Sequence, residues 1–268
     1  MSVSLSRIVA IAQAAGRLIL QHYASGSLEN RLKPDRSPLT AADMASHEFI
    51  VSALQAASPL PVLSEESAET AYESRSGWPR FWLVDPLDGT REFLQRNGEF
   101  TVNIALIDHG VPVMGVVHAP ACSLSYFAAR GQGAFFVEGA GKATRLPPRR
   151  PDGERLSVVV SRSHADAETA AFLATLGDYD CVSVGSSLKF CLLAQGRAQL
   201  YPRFGPTMEW DTAAGQCVLQ QAGGSVCDLE GRALAYNKPD LRNPFFLARS
   251  QPSQHANAIP QPVPAGVR

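Results

Sequence analysis

The stretch FWLVDPLDGT occupies residues 81–90 and joins an apolar run to a short polar motif. The apolar run predicts a buried β-strand that delivers Asp85 at the edge of a sheet. Pro86 fixes the backbone as the chain leaves the strand, and Gly89 permits a sharp turn before the next element. Asp85 and Asp88 are therefore expected to converge. Taken alone, the motif is also open to a simpler interpretation, a turn in which Asp88 caps the following segment.

The segments around this motif predict an antiparallel sheet. Asp108-His109-Gly110 has the composition of a hairpin turn between two of its strands. The expected strands are rich in β-branched or aromatic residues and cover 81–85, 100–108, 112–119, 124–129 and 133–137.

Two helices are expected before the sheet. Apolar residues recur at helical spacing from Leu5 to Ile19 and predict an amphipathic first helix. A second helix is expected to start near Thr40, because Thr40 and Asp43 have the spacing of a capping box, with Asp in the usual Glu position. In isolation, a structural role in this cap accounts for Asp43.

Proline and charge are concentrated in RLPPRRPDGE, residues 145–154, where we place the boundary between two halves. After it, strands and helices alternate, which is typical of α/β proteins. The strands are expected near 156–160, 181–184, 198–201, 225–228 and 245–248, and the helices near 166–176, 187–195 and 211–222. We thus expect an N-terminal α+β half over residues 1–150, a C-terminal α/β half over 151–250, and a mobile tail over 251–268.

The overall composition limits the classes of function. The 268 residues are 45% hydrophobic and 18% charged, with a formal net charge of −1. Such a balance gives no general attraction to a nucleic acid polymer or to an anionic membrane, so a phosphate ligand has to be bound locally. Five cysteines without a CxxC pair favour a reducing cytoplasm. Neither an export signal nor a membrane span is expected, and peripheral association with the cytoplasmic face of the inner membrane stays open.

Further acidic residues favour a metal site. Glu65 follows a short apolar segment at a second predicted strand end, and Asp211 opens an apolar helix. Asp211 is equally open to a role as an N-terminal cap. Four separate carboxylate segments, with no histidine beside any of them in the sequence, suggest a polynuclear site whose oxygen ligands select magnesium.

Three motifs identify a family resemblance. LSEES at 63–67, DPLDGT at 85–90 and EWDTAAG at 209–215 resemble, in order and spacing, the lithium-sensitive, magnesium-dependent inositol monophosphatase superfamily. The match is closer to its bacterial 3'(2'),5'-bisphosphate nucleotidase branch, the adenosine 3',5'-bisphosphate phosphatases of sulfate assimilation. That closer match rests on SPLTAAD at 37–43, REFLQRNGEFTVNIALIDHG at 91–110, SRSH at 161–164 and VGSSLKFCLLAQGRAQLYPRFGPTMEWDTAAG at 184–215.

The resemblance implies a layered αβαβα sugar-phosphatase fold, with the active site between the halves. It also implies two magnesium sites and a third, weaker one. The implied ligands are Glu65, Asp85 and the Leu87 carbonyl for the first ion, Asp85, Asp88 and Asp211 for the second, and a position near Glu65 and Asp43 for the third. Thr90 would orient the attacking water, with Glu65 or Asp43 helping to accept its proton.

Several residues are expected to bind the substrate. Backbone N–H groups around Gly89 and Thr90 can hold a phosphate oxygen, with Asp211 at the same reacting phosphate. Ser186, Ser187 and Lys189 are expected to hold the phosphate that does not react; the alternative for Lys189 is a solvated helical lysine. Ser163 is expected in the nucleoside pocket, unless it only caps a helix. Arg203 either approaches the ligand or braces Glu209.

The expected function is hydrolysis of the 3'-phosphate of adenosine 3',5'-bisphosphate to AMP and phosphate, with the sulfated analogue as a further substrate. Inositol monophosphate and fructose 1,6-bisphosphate are the alternative substrates on the same scaffold. An alternative of another class is a regulatory protein that binds a phosphate metabolite without turnover. The threonine at position 90 argues against that alternative, since binding alone does not need a water-orienting group among metal ligands.

Overall fold

The structure is a computed structural model that describes residues 3–25, 30–32, 38–67, 70–146, 155–163 and 166–250. Its helices are α1 Leu5–Ser25, α2 Ala41–Ala57, α3 Tyr72–Arg75, α4 Thr90–Leu94, α5 Ala167–Leu173, α6 Leu188–Ala194 and α7 Glu209–Gln221, with short 3₁₀ helices at Glu65–Ser67 and Pro120–Cys122. Its strands are β1 Asn30–Leu32, β2 Pro38–Thr40, β3 Val62–Ser64, β4 Arg80–Asp88, β5 Thr101–Asp108, β6 Val111–Ala119, β7 Leu124–Ala129, β8 Gly133–Glu138, β9 Thr144–Leu146, β10 Leu156–Ser161, β11 Tyr179–Val184, β12 Leu200–Arg203, β13 Ser225–Asp228 and β14 Phe246–Arg249.

The first large sheet has seven strands in the order β3-β4-β5-β6-β7-β8-β9. β3 and β4 are parallel, and each later neighbour pairs antiparallel. The predicted hairpin turn between β5 and β6 is confirmed, with positive φ at His109 (49°) and Gly110 (75°). Positive φ at both positions gives a turn whose twist matches that of the flanking strands.

A bulge in β4 corrects the predicted end of this strand. The strand does not end at Asp85 but continues to Asp88, with Asp85 opposite Asn103 and Asp88 opposite Thr101. Three steps along β4 thus face two steps along β5, so β4 contains one extra residue. Pro86 lies in the bulge, where its missing N–H costs no regular ladder bond. Since side chains alternate in a strand, the extra residue turns both aspartates to one face.

The second large sheet has five strands in the order β11-β10-β12-β14-β13. The two sheets stack with helices between and outside them. α1 and α2 pack on one face of the seven-stranded sheet, around residues such as Ile8, Ile50 and Trp82. α6 and α7 fill the space between the sheets, around Phe190 and Val218. α5 covers the outer face of the five-stranded sheet. The expected αβαβα layering is confirmed.

Some of the predicted features fall on residues that the structure does not describe. Residues 147–154 and 251–268 lie outside the described ranges, so the boundary within 145–154 and the mobile tail stay predictions. Helix α7 packs directly on β5 and β6 of the first sheet. The two sequence halves therefore share one interface, and the site can draw on both. Among the described helices, none is both long and apolar enough to cross a membrane.

Candidate active site

Glu65 and Asp85 lie at the same end of two neighbouring strands of the seven-stranded sheet, which we call the carboxylate edge. β3 and β4 run parallel, with Ser64 opposite Val84. The next residues, Glu65 and Asp85, therefore occupy adjacent positions where the two strands leave regular pairing. The Asp85 side chain is buried, and its Oδ1 accepts a hydrogen bond from Leu87 N at 3.1 Å.

Asp88 connects this edge to the second half of the chain. Its Oδ2 accepts hydrogen bonds from Ser187 N at 2.6 Å and from Asn103 Nδ2 at 3.1 Å. The Ser187 hydroxyl lies 2.8 Å from the same oxygen and 2.7 Å from the Asp211 carbonyl oxygen. Ser187 therefore joins the Asp88 carboxylate to the N-terminal turn of α7, which carries Asp211.

Burial makes the charges of these carboxylates costly. Burial raises the pKa of Asp211 well above its ordinary value, and the negative charges of Asp88 and Glu65 raise it further. Burial also raises the pKa of Asp88, although the charge of Lys189 and the hydrogen bonds from Ser187 and Asn103 oppose the shift. A cation placed among these groups would offset that cost.

Asp43 and Thr90 lie close to each other, beside the last residues of β4. The capping box is present, with Asp43 Oδ2 accepting from Thr40 N at 2.8 Å. The other oxygen, Asp43 Oδ1, lies 3.3 Å from Thr90 Oγ1, which is also 3.3 Å from the Leu87 carbonyl oxygen. The cap and the proximity to Thr90 are thus compatible, because each uses a different oxygen of Asp43. The cap interpretation of Asp211 also holds, since Asp211 Oδ2 accepts from Met208 N at 2.8 Å.

Lys189 is buried, so the alternative of a solvated helical lysine is wrong. Its Nζ donates to the Ser186 carbonyl oxygen at 2.6 Å and lies 5.5 Å from the centre of the Tyr201 ring. Burial lowers the pKa of Lys189 to about 8, although the negative charge of Asp88 opposes the shift. The ammonium group therefore faces the carboxylate cluster from within the interface between α6 and β12.

Gly89 and Ser186 bring two predicted substrate-binding segments into contact. Gly89 has a φ of 88°, the left-handed conformation that favours glycine. A Cβ at this position would lie 3.3 Å from Ser186 Cβ and 3.2 Å from the Glu99 carbonyl oxygen. The turn before α4 therefore packs directly on the turn before α6.

The remaining predicted substrate contacts have different surroundings. Ser163 Oγ donates to Glu92 Oε1 at 2.5 Å, and the alternative of Ser163 as a helix cap is wrong, because Asp166 caps α5. His164, the last residue of SRSH, lies outside the described residues.

Arg203 is buried and does not brace Glu209 as one alternative held. Its Nη2 donates to the Pro206 carbonyl at 2.9 Å, while Glu209 is held by Lys238 Nζ at 2.6 Å. For the buried Arg203 Nε, the described residues offer no hydrogen-bond partner.

Sequence reasoning missed four polar residues around the site. Asn103 is a buried polar residue within the apolar stretch of β5, and that contrast was the available signal, whereas Glu92 is buried without any such local signal. Glu99 pairs with Arg162 across the cleft. His47 Nδ1 lies 2.9 Å from Ser64 Oγ, directly before Glu65, so a histidine does approach one carboxylate segment. Burial lowers the pKa of His47.

The carboxylates fit a hard divalent cation. Within the described ranges, no three acidic, histidine or cysteine side chains converge closely enough to form a closed metal cage. Magnesium needs no such preformed cage, since it usually keeps several waters and shares its coordination between carboxylates and substrate phosphates. The oxygen-rich donor set and the raised pKa values of Asp88 and Asp211 are what favour a cation here.

Comparison with known proteins identifies the family. The model of the inositol monophosphatase family matches residues 3–262. The chain is 49% identical to the 3'(2'),5'-bisphosphate nucleotidase CysQ of Escherichia coli K12 over 245 residues, which cover 90% of this chain and 98% of that protein. The crystal structure of CysQ from Bacteroides thetaiotaomicron, at 42% identity, superposes with a TM-score of 0.84 over 93% of this chain and 97% of that one. The extragenic suppressor protein suhB of Bartonella henselae, at 27% identity, gives 0.77 over 98% of both chains. The chain therefore belongs to the inositol monophosphatase family, whose members are metal-dependent phosphatases.

Proposed function

We propose that this protein is a magnesium-dependent 3'(2'),5'-bisphosphate nucleotidase that hydrolyses the 3'-phosphate of adenosine 3',5'-bisphosphate. The observation that carries the proposal is that Ser187 joins two partly buried aspartates from different halves, since its hydroxyl lies against the Asp88 carboxylate and against the backbone carbonyl of Asp211. This chain matches relatives named for this activity, such as the CysQ protein of E. coli K12, over nearly their whole length. We place the enzyme in sulfate assimilation in the cytoplasm.

Magnesium would be held by the carboxylates of the first half together with Asp211. We assign one ion to Glu65, Asp85 and the Leu87 carbonyl, a second to Asp85, Asp88 and Asp211, and a third, weaker one to the region of Glu65 and Asp43. When bound, magnesium would neutralise charge on the phosphate and the departing oxygen and lower the pKa of a nearby water.

The protein groups then position water and phosphate. Thr90 Oγ1, which is within reach of Asp43 Oδ1, would orient the attacking water, and Asp43 or Glu65 would accept its proton. The backbone N–H groups of Gly89 and Thr90 would hold a phosphate oxygen, and Asp211 would border the same phosphate. Water oxygen forms the new bond to phosphorus, the bond from phosphorus to the ribose 3'-oxygen breaks, and that oxygen takes up a proton to leave AMP.

The second half would supply specificity for the bisphosphate. Ser186, Ser187 and Lys189 are proposed to hold the 5'-phosphate, with Ser163 and Arg203 near the nucleoside. Lys189 is already desolvated, and a desolvated cation attracts a phosphate more strongly than a solvated one does. The buried Arg203 Nε retains an unused donor among the described residues, which a ligand oxygen would satisfy.

A comparison of substrates tests the proposal. The kcat/KM for adenosine 3',5'-bisphosphate, inositol 1-phosphate and fructose 1,6-bisphosphate would be measured by phosphate release, with magnesium and with a chelator. We expect the bisphosphate nucleotide to be preferred by at least about tenfold, the discrimination that one well-placed charged contact supplies, and no release with chelator. Preference for a sugar phosphate would overturn the nucleotidase assignment. Release at an equal rate with chelator would overturn the metal dependence.

A further inference from the structure

Two glutamates of the first half reach across the cleft to the second half. Glu99 lies between α4 and β5, and Arg162 directly follows β10. Arg162 Nε donates to Glu99 Oε2 at 2.6 Å, and Nη2 donates to Glu99 Oε1 at 2.7 Å. This is a bidentate pair, the geometry in which arginine and a carboxylate fix each other's orientation.

The same glutamate also holds the turn before α6. Glu99 Oε2 accepts a hydrogen bond from Gly185 N at 2.8 Å. Arg162 Nη2 additionally donates to the Ser183 carbonyl oxygen at 2.7 Å. Glu99 and Arg162 therefore tie the end of β10 and the end of β11 to one loop of the first half.

Glu92 makes a second crossing close to the first. Its carboxylate is buried, and Oε1 accepts from Ser163 Oγ at 2.5 Å. A Cβ added to Gly185 would lie 2.5 Å from Glu92 Cγ and 2.8 Å from the Glu99 carbonyl oxygen. Any side chain at this position would collide, so Gly185 is pressed against the two glutamate residues. Arg162 and Ser163 are consecutive, and together the four residues Glu92, Glu99, Arg162 and Ser163 form what we call the cross-cleft latch.

The latch adjoins the carboxylate cluster, and Ser163 is the one latch residue that is also proposed to lie near the nucleoside. Gly185 is followed by Ser186 and Ser187, and Ser187 has its own hydrogen bonds to Asp88, Asp211 and Asn103. Loss of the latch would therefore leave the carboxylate cluster assembled. Without the latch, the distance between the end of β10 and the turn at Gly185 would no longer be fixed.

Stability alone is a weak explanation for the Glu99–Arg162 pair. The side chain of Arg162 is 42% exposed and that of Glu99 22%, and such partly exposed pairs add little to the free energy of unfolding. Burial raises the pKa of Glu99, but the hydrogen bonds from Arg162 and Gly185 and the charge of Arg162 outweigh burial, so the pKa is lowered. At neutral pH the pair is charged.

We propose that Glu92 and Glu99 are positioning residues for substrate specificity, which hold the Ser163 and Gly185–Ser187 segments at the spacing that a nucleoside with a second phosphate requires. The proposal rests on the proposed function and names residues that act through others, since neither glutamate needs to touch the substrate. A small phosphomonoester, which lacks the nucleoside and the second phosphate, would depend less on that spacing.

The test compares Glu99→Gln and Arg162→Lys with a matched control. Glu99→Gln keeps the shape of the side chain and removes its charge, and Arg162→Lys keeps the charge and removes the bidentate geometry. The control is Arg80→Ala, which breaks the pair of Arg80 with Asp108 at the far end of β4, a pair of similar exposure at 48% and 30%. The kcat and KM for adenosine 3',5'-bisphosphate and for p-nitrophenyl phosphate, together with the Tm, would be measured for each protein and for Glu99→Gln/Arg162→Lys.

We expect each latch variant to raise the KM for the bisphosphate about tenfold, the size typical of losing an orienting outer contact, with a smaller effect on p-nitrophenyl phosphate. The KM of the double variant should be no higher than that of the more damaging single variant, because both substitutions break the same contact. Latch variants that match Arg80→Ala on both substrates, or that lose activity equally on both, would overturn the latch and leave the proposed function standing. A wild-type protein that does not hydrolyse the bisphosphate would overturn the proposed function, and the latch with it.

Discussion

The carboxylate edge of the first sheet and the two turns of the second half that carry Ser163 and Gly185–Ser187 are built in different ways. At the carboxylate edge, neighbouring residues do the positioning: one extra residue in β4 turns Asp85 and Asp88 to one face, and a capping box fixes Asp43. The turns of the second half take their positions from the first half, through Asp88, Glu92 and Glu99. Most of the proposed metal ligands are thus positioned by local sequence, with Asp211 as the one ligand from the other half, whereas the proposed specificity segments depend entirely on how the halves meet.

This difference predicts two classes of variant. Changes at the carboxylate edge should damage the hydrolysis of every phosphomonoester. Changes in the turns of the second half should distinguish between substrates.

Asp88→Asn should lower kcat/KM roughly a thousandfold on adenosine 3',5'-bisphosphate and on p-nitrophenyl phosphate alike. The change keeps the volume and removes a charge that would help hold a cation, and several kcal/mol of charge stabilisation correspond to a loss of this size. Phosphate release at saturating magnesium is the measurement. Asp108→Asn, in the hairpin end of β5, is the control and should be neutral. Near-normal turnover by Asp88→Asn on either substrate would show that the Asp88 charge is not needed for phosphate release.

Thr90→Val should cost about a hundredfold in kcat on both substrates, since orienting a water for proton transfer typically contributes that much. Thr90→Ser keeps the hydroxyl and should retain most of the activity. The measurement is the steady-state kcat of the two variants on both substrates. Equal activity of the valine and serine variants would remove Thr90 from the water-orienting role.

Lys189→Met should lower kcat/KM for the bisphosphate about tenfold more than for p-nitrophenyl phosphate, the amount that one charged contact to the second phosphate can supply. Methionine keeps most of the buried length of the side chain. Some loss on both substrates is expected as well, because the charge of Lys189 acts on Asp88. Parallel losses on both substrates would place Lys189 with the carboxylate edge and not with specificity.

His118 lies away from both regions and should affect stability without affecting activity at neutral pH. Its ring is buried beside α1, and its Nδ1 lies 2.9 Å from Ser125 Oγ. Burial lowers the pKa of His118 to about 4 from 6.5. Between these values the unfolded chain binds more protons, so the free energy of unfolding falls as the pH drops from 6.5 to 4, by up to about 3 kcal/mol.

Denaturant unfolding of the wild type and of His118→Gln across that pH range isolates this contribution. The variant should show the shallower dependence on pH. Identical slopes in the two proteins would show that His118 is not the group responsible.

The sequence predicted those features that depend on short spacing. The capping box of Thr40 and Asp43, the hairpin at His109, and the positive φ at Gly89 follow from residues only a few positions apart. Apolar and β-branched patterns located the longer strands and helices for the same reason, but not the short elements β1, β2, α3 and β9. The layered fold came from family motifs, and the two core layers between helices and sheets agree with it.

Other features could not be predicted because they depend on distant partners. Glu92 meets Ser163 across 71 positions and Glu99 meets Arg162 across 63. No local pattern distinguishes these glutamates from solvated ones. A solvent-exposed Lys189 was compatible with the sequence, because the position of a residue in a helix does not show whether a neighbouring sheet or helix covers its side chain. The bulge that extends β4 to Asp88 depends on the register against β5, which single-strand patterns do not contain.

If carboxylates from both halves form one magnesium site, thermal unfolding in a magnesium titration should reveal it. A cation that binds only the folded state raises the Tm with its concentration. We predict that the wild-type Tm rises with magnesium and that Asp88→Asn and Asp211→Asn each largely abolish the rise, while Asp108→Asn retains it. A full magnesium-dependent rise in either Asp88→Asn or Asp211→Asn would show that its carboxylate is not part of a shared site, and would contradict the account.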